Sequence, residues 1–98
     1  MAVMSIVRYT GDPDELELGL GRMLALTDRR RPDGFRFHSS AVTEDGLVLV
    51  DLWTSEEALT AWNRDPEFRS EIERLKIPTP SQVEICPVVA TWPGELTG

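Results

Sequence analysis

Val50-Asp51-Leu52-Trp53-Thr54-Ser55-Glu56-Glu57-Ala58-Leu59-Thr60-Ala61-Trp62 runs from an apolar, β-branched segment straight into a segment with helical spacing, with a Trp in each half. The first half reads as a strand. In the second, Thr54 as N-cap and Glu57 three residues later form a capping-box pattern, which satisfies the orphaned N–H groups at a helix start. Ala58, Leu59 and Trp62 then make one apolar helix side. The rest of the chain is legible outward from this strand-to-helix junction.

Upstream, Phe35 to Thr43 and Leu47 to Thr54 are strand-like runs separated by Glu44-Asp45-Gly46, and an Asp-Gly pair between such runs signals a hairpin. A two-residue turn at Asp45 and Gly46 places Ser40 opposite Asp51 and His38 opposite Trp53 on one face. Phe37, Ala41, Val48, Val50 and Leu52 share the other. A one-residue slip would scramble this separation of polar from apolar, which favours the register, with a three-residue turn as the alternative.

Towards the N-terminus, Ala2 to Thr10 is rich in β-branched and aromatic residues and stops at Gly11. Asp12 as N-cap, Pro13 at N1 and Glu15 at N3 announce a helix, and Leu16, Leu20, Met23, Leu24 and Thr27 recur on one side of it. Gly19 and Gly21 each cost that helix roughly 1 kcal/mol relative to Ala, so a sheet, a subunit or a ligand is expected close to its backbone. Arg29-Arg30-Arg31 precede the Pro32-Asp33-Gly34 stop, where cations complement the helix dipole. Downstream of Trp62, Asp65-Pro66-Glu67 interrupts the second helix: Pro66 removes a donor, Asp65 caps afresh, and Phe68, Ile72 and Leu75 resume the apolar side. Gln82 to Thr91 reads as a last strand, in which Pro87 favours an edge or a bulge. The tail from Trp92 to Gly98 has no partner in its own sequence.

The order β-α-β-β-α-β predicts an α+β, ferredoxin-like unit over residues 1–98, with an antiparallel sheet and both helices on one face. Because the strands are apolar on both sides (Met4 and Ile6 against Val3 and Val7), a second sheet packed face to face is expected, giving a homodimer. Ninety-eight residues bury only about two-thirds of their unfolded surface, which adds to that expectation. A net charge of −7 disfavours nucleic acid and anionic membrane surfaces as partners. One cysteine, no apolar run near ~20 residues and no signal pattern make the cytoplasm the expected location.

Two candidate sites emerge. Trp62, Phe68, Ile72, Val7, Tyr9 and Phe37 are expected to build an apolar cleft between sheet and helices, with the hydroxyls of Ser5 and Tyr9 inside it. On the other sheet face His38, Ser40, Asp51, Trp53 and Arg8 gather. His38 is the only histidine, and with Asp51 nearby it can serve as a general base oriented by a carboxylate. The plainer alternative is a strand histidine hydrogen-bonded at a dimer interface or wet at a sheet edge. Trp53 and Trp62 serve equally as core residues. Ser39 and Ser40 lack the sharp turn that exposes a nucleophile, Cys86 reads as an inert thiol, and no spacing of His, Cys and carboxylates suits a metal.

The chain resembles the dimeric α+β barrel superfamily, specifically the antibiotic-biosynthesis monooxygenase-like group and its haem-degrading relatives. Gly34-Phe35, Leu52-Trp53-Thr54-Ser55 and Ala61-Trp62-Asn63-Arg64-Asp65-Pro66-Glu67-Phe68-Arg69 carry the resemblance, which spans residues 2 to 90 in element order. In the haem-degrading relatives a helix Trp, a His ten residues later and a strand Asn surround the haem. Trp62 matches the first, whereas Ile72 and Val7 occupy the other two positions. The resemblance therefore implies the cofactor-independent branch, in which an electron-rich aromatic or polyketide-like molecule is deprotonated and reacts with oxygen directly. A polyketide-type cyclase and a non-catalytic ligand-binding dimer are the alternatives, and no cofactor or metal is expected.

Overall fold

The computed structural model describes residues 1–94. Strand β1 (Val3–Thr10), helix α1 (Pro13–Arg30), strands β2 (Phe35–Thr43) and β3 (Gly46–Trp53), helices α2 (Glu56–Asn63) and α3 (Pro66–Arg74) and strand β4 (Gln82–Pro87) follow in that order. The antiparallel sheet has the order β2-β3-β1-β4, the α+β ferredoxin-like arrangement. Pro87 ends β4, which is an edge strand, so its missing N–H costs no ladder bond. Residues 95–98 of the C-terminal tail lie outside the described residues.

Local chemistry sets the helix limits. The Asp12 side chain accepts from the Asp14 N–H, and Pro13 opens α1. At the β3–α2 junction the cap is Ser55, one residue later than the capping box suggests, and its Oγ accepts from Ala58 N–H at 3.1 Å. Thr54 is engaged otherwise: its backbone N–H donates to the Gly34 carbonyl at 2.8 Å. Gly34 has φ 85°, and a Cβ there would sit 2.6 Å from the Ala58 Cβ, so glycine is required for the start of β2 to lie against the junction. Asp65 caps α3 as the sequence predicts, accepting from the N–H groups of Glu67 and Phe68.

The hairpin turn falls one residue earlier than expected. Glu44 and Asp45 form it, Thr43 pairs with Gly46, and His38 stands opposite Asp51 while Ser40 faces Leu49. Gly46 belongs to the ladder because β1 passes so close that a Cβ would lie 1.9 Å from the Tyr9 carbonyl oxygen. The shift moves the pairing by two residues, so the division of side chains between faces survives. A bulge between Phe35 and Phe37 then turns Phe35 towards Trp53, with ring centroids 4.7 Å apart.

Val3, Leu26, Trp53, Leu59 and Trp62 form the buried core, with Met23, Phe35, Ala58 and Phe68 packed around it. Trp53 is 1% exposed. The deepest residue of α1 is Leu26, while Leu16, Leu20, Leu24 and Thr27 border a cavity. Register puts Met4, Ile6, Phe37, Ala41, Val48, Val50, Leu52 and Cys86 on the sheet face away from the helices. Phe37 is half exposed there, so its expected place in the helix-side cleft is corrected. Among the described residues, no helix is long and apolar enough to cross a membrane.

Candidate active site

One row of side chains crosses the helix-facing side of the sheet: His38 on β2, Asp51 on β3, Ser5 on β1 and Ile85 on β4. The neighbouring rows bring Val3 beside Trp53, Val7 beside Leu49 and Tyr9 beside Leu47. The pairing of β1 with β3 therefore merges the two expected sites into one, because His38, Asp51 and Trp53 share a face with Ser5, Val7 and Tyr9. Arg8 pairs with Val48 on the opposite face and is not part of this group. Ser40 has the right face but is exposed and lies outside the cavity lining.

Between this face and the helices lies a cavity of about 880 Å³. Ser5, Val7, Tyr9, His38, Asp51 and Trp53 line it from the sheet, and Trp62, Phe68 and Ile72 from α2 and α3. Helix α1 contributes Leu16, Gly19, Leu20 and Met23. The sequence missed Phe35, Leu47 and Leu49 as lining residues; strand alternation flags the leucines once the helix-facing side is known. Val7 and Ile72 present apolar side chains to the same space. Among the described residues, no group of three or more His, Cys, Asp or Glu side chains is placed to hold a metal ion.

His38 Nδ1 lies 2.5 Å from Asp51 Oδ1, with both side chains largely buried, at 15% and 20% exposed. A carboxylate can only accept, so this contact assigns the ring proton to Nδ1 and leaves the Nε2 lone pair as the free base position. Nε2 is buried and no protein group among the described residues bonds it. Trp53 Nε1 is buried and unbonded in the same way. A buried polar atom without a partner carries a desolvation cost of about 1–3 kcal/mol, which a polar ligand group would relieve. Burial, followed by the charge of Asp51, pushes the Tyr9 phenol above its ordinary pKa. Tyr9 thus keeps its proton at neutral pH.

No family sequence model matches the chain, and neither does any curated protein sequence. Its fold is shared with several solved structures. SnoaB, a cofactor-independent oxygenase from Streptomyces nogalater, superposes with a TM-score of 0.75 over 95% of this chain and 98% of its own, at 24% identity. Rv0793 from Mycobacterium tuberculosis gives 0.72 over 94% and 99%, at 23% identity. The monooxygenase from the ActVA-Orf6 gene of Streptomyces coelicolor, solved with the ligand nanaomycin D, gives 0.67 over 95% and 92%, at 19% identity. The chain therefore shares the fold of these solved structures, an α+β ferredoxin-like unit.

Tyr9 is the only tyrosine, so an ultraviolet titration of the phenolate reads the site directly. Its midpoint is expected above about 10 and closer to that value in Asp51→Asn. Because folding raises this pKa, the associated stabilisation is complete below about pH 10 and lost as pH rises through the raised value. A midpoint at or below that of a free tyrosine would contradict the buried placement.

Proposed function

We propose that the chain is a cofactor-independent monooxygenase acting on a flat, electron-rich aromatic or polyketide-like molecule of secondary metabolism. The observation that carries the reading is the His38–Asp51 pair in the wall of a largely apolar cavity. His38 Nε2 takes a proton from an activated C–H or phenol of the substrate, while Asp51 holds the ring and stabilises the imidazolium. The Tyr9 hydroxyl donates to the developing enolate oxygen, with Ser5 on the same row as Asp51. The carbanion's electrons pass to dioxygen, a C–O bond forms, the His38 imidazolium returns its proton to the peroxide anion, and the resulting hydroperoxide loses water to leave a carbonyl. Trp62, Phe68 and Phe35 supply aromatic surface for a planar ring system, and apolar walls keep competing water away from the anion.

The homodimer belongs to the same proposal. Met4, Ile6, Val48, Val50 and Leu52, with the half-exposed Phe37, make the outer sheet face apolar enough to meet a second sheet. Sedimentation is expected to give a dimer for the wild type and a folded monomer for Phe37→Asp; a dimer unchanged by that charge would place the contact elsewhere.

Oxygen uptake by metal-free protein with a hydroxyanthrone tests the activity. Wild-type uptake is expected to exceed buffer, to fall about a hundredfold or more in His38→Gln, the range a lost general base gives, and to show weaker substrate affinity in Trp62→Ala. Uptake no faster than buffer would refute the oxygenase reading for this substrate class, and retained binding would then favour cyclisation or simple ligand carriage.

A further inference from the structure

Arg30 ends α1 with a guanidinium that meets two carboxylates at the α2–α3 junction. Its Nη1 and Nη2 donate end-on to Asp65 at 3.0 and 2.6 Å, and Nη1 also donates to Glu67 at 2.6 Å. Arg29 holds the second Glu67 oxygen at 2.5 Å. The same Asp65 carboxylate caps α3 through the Glu67 and Phe68 N–H groups. Arg30 also lies with its Cζ 5.3 Å from the centroid of the Trp62 ring, which itself meets Phe68 at 5.0 Å. One guanidinium therefore touches the helix cap, the α1 terminus and an aromatic wall of the cavity.

Isolated exposed ion pairs contribute little, but this one is bidentate, joins four charges and leaves Arg30 and Asp65 only 33% and 18% exposed. A role as a helix-end cation applies equally to Arg29, Arg30 and Arg31. Of these neighbours, Arg31 pairs at 3.5 Å with Asp28, where both side chains are above 80% exposed. Arg30 is the one recorded over an aromatic ring.

We propose that Arg30 is a positioning residue of the site: Asp65 and Glu67 immobilise its guanidinium, which in turn fixes the indole of Trp62 in the cavity wall. The physical basis is pre-organisation. A cation held by two carboxylates loses little freedom when it covers a ring face, and the ring then presents one orientation to a planar ligand. Lysine cannot reproduce this, because a single ammonium does not bridge both carboxylates in a fixed plane.

The experiment has two arms, and only the second rests on the proposed function. The protein is labelled with fluorotryptophan, and the three fluorine resonances are assigned with Trp62→Phe and Trp92→Phe. In Arg30→Gln the Trp62 resonance is expected to shift or broaden, while that of Trp53 in the core stays in place. Asp65→Asn, which keeps a good cap while removing the charge, is expected to move the same resonance and serves if Arg30→Gln fails to fold. In the kinetic arm, Arg30→Gln is expected to raise KM for dithranol about fivefold with a smaller change in kcat, the factor a lost cation–π contact gives. In a Trp62→Phe background the same change is expected to matter far less. An unmoved Trp62 resonance in both folded variants would overturn the proposal, as would an equal KM increase with and without Trp62. Should dithranol neither bind nor react, the oxygenase reading falls while the fluorine spectra still decide the role of Arg30.

Discussion

Three strands come together at Gly46, which pairs with Thr43 on one side and Thr10 on the other. The Tyr9 carbonyl approaches so near that no side chain fits there. This contact fixes the register of β2 and β1 against β3, and register decides which residues face the helices. With Gly46 in the ladder, Asp51 receives His38 on one side and Ser5 on the other. A slip of one residue would turn Asp51 towards the outer face and bring Val50 and Leu52 beneath the helices. The dyad, the phenol of Tyr9 and the buried Trp53 all depend on that single close approach.

The cavity's chemistry follows from what surrounds this row. An imidazole whose Nδ1 is tied to a carboxylate offers one free nitrogen, and apolar neighbours such as Val7, Leu49 and Ile72 strengthen every charge interaction made there. Tyr9 keeps its proton because burial and Asp51 both oppose its ionisation, which suits the donor role proposed for it. The helices add shape: Trp62 and Phe68 form one aromatic end, held to α1 through Arg30, Asp65 and Glu67. The cavity extends along α1 past Leu16, Gly19 and Leu20, so a planar ligand has room to lie along the sheet.

Features governed by neighbours in sequence were legible before the fold was known. Pro66 splits the second helix and Asp65 restarts it because both effects act within one turn. The limits Phe35 and Thr43 of β2 followed from turn residues on either side. What escaped depended on contacts distant in sequence. Gly46 looked like a turn residue, and only β1 reveals it as a close-approach position. Thr54 was the natural cap, but Gly34 draws its backbone into the junction and leaves capping to Ser55. Phe37 shares the face of Val48, Val50 and Leu52 as alternation predicts, but only the pairing of β1 with β3 reveals that face as the outer one, and a bulge invisible in the alternation brings Phe35 to the inner face instead. His38 and Asp51 could be placed on one face from the hairpin alone, yet the pairing of β1 with β3 was needed to put Ser5, Val7 and Tyr9 beside them. In sequence Arg30 is one of three helix-end charges, since nothing near it hints at Asp65.

In the proposed reaction His38 removes a proton from the substrate before oxygen takes part. Deuterium exchange at the benzylic carbon of dithranol, followed by proton NMR in heavy water under nitrogen, measures that step alone. Exchange faster than buffer is expected with the wild-type protein and a rate near buffer with His38→Gln. Exchange at the buffer rate with wild-type protein that nonetheless consumes oxygen with dithranol in air would contradict that order of steps.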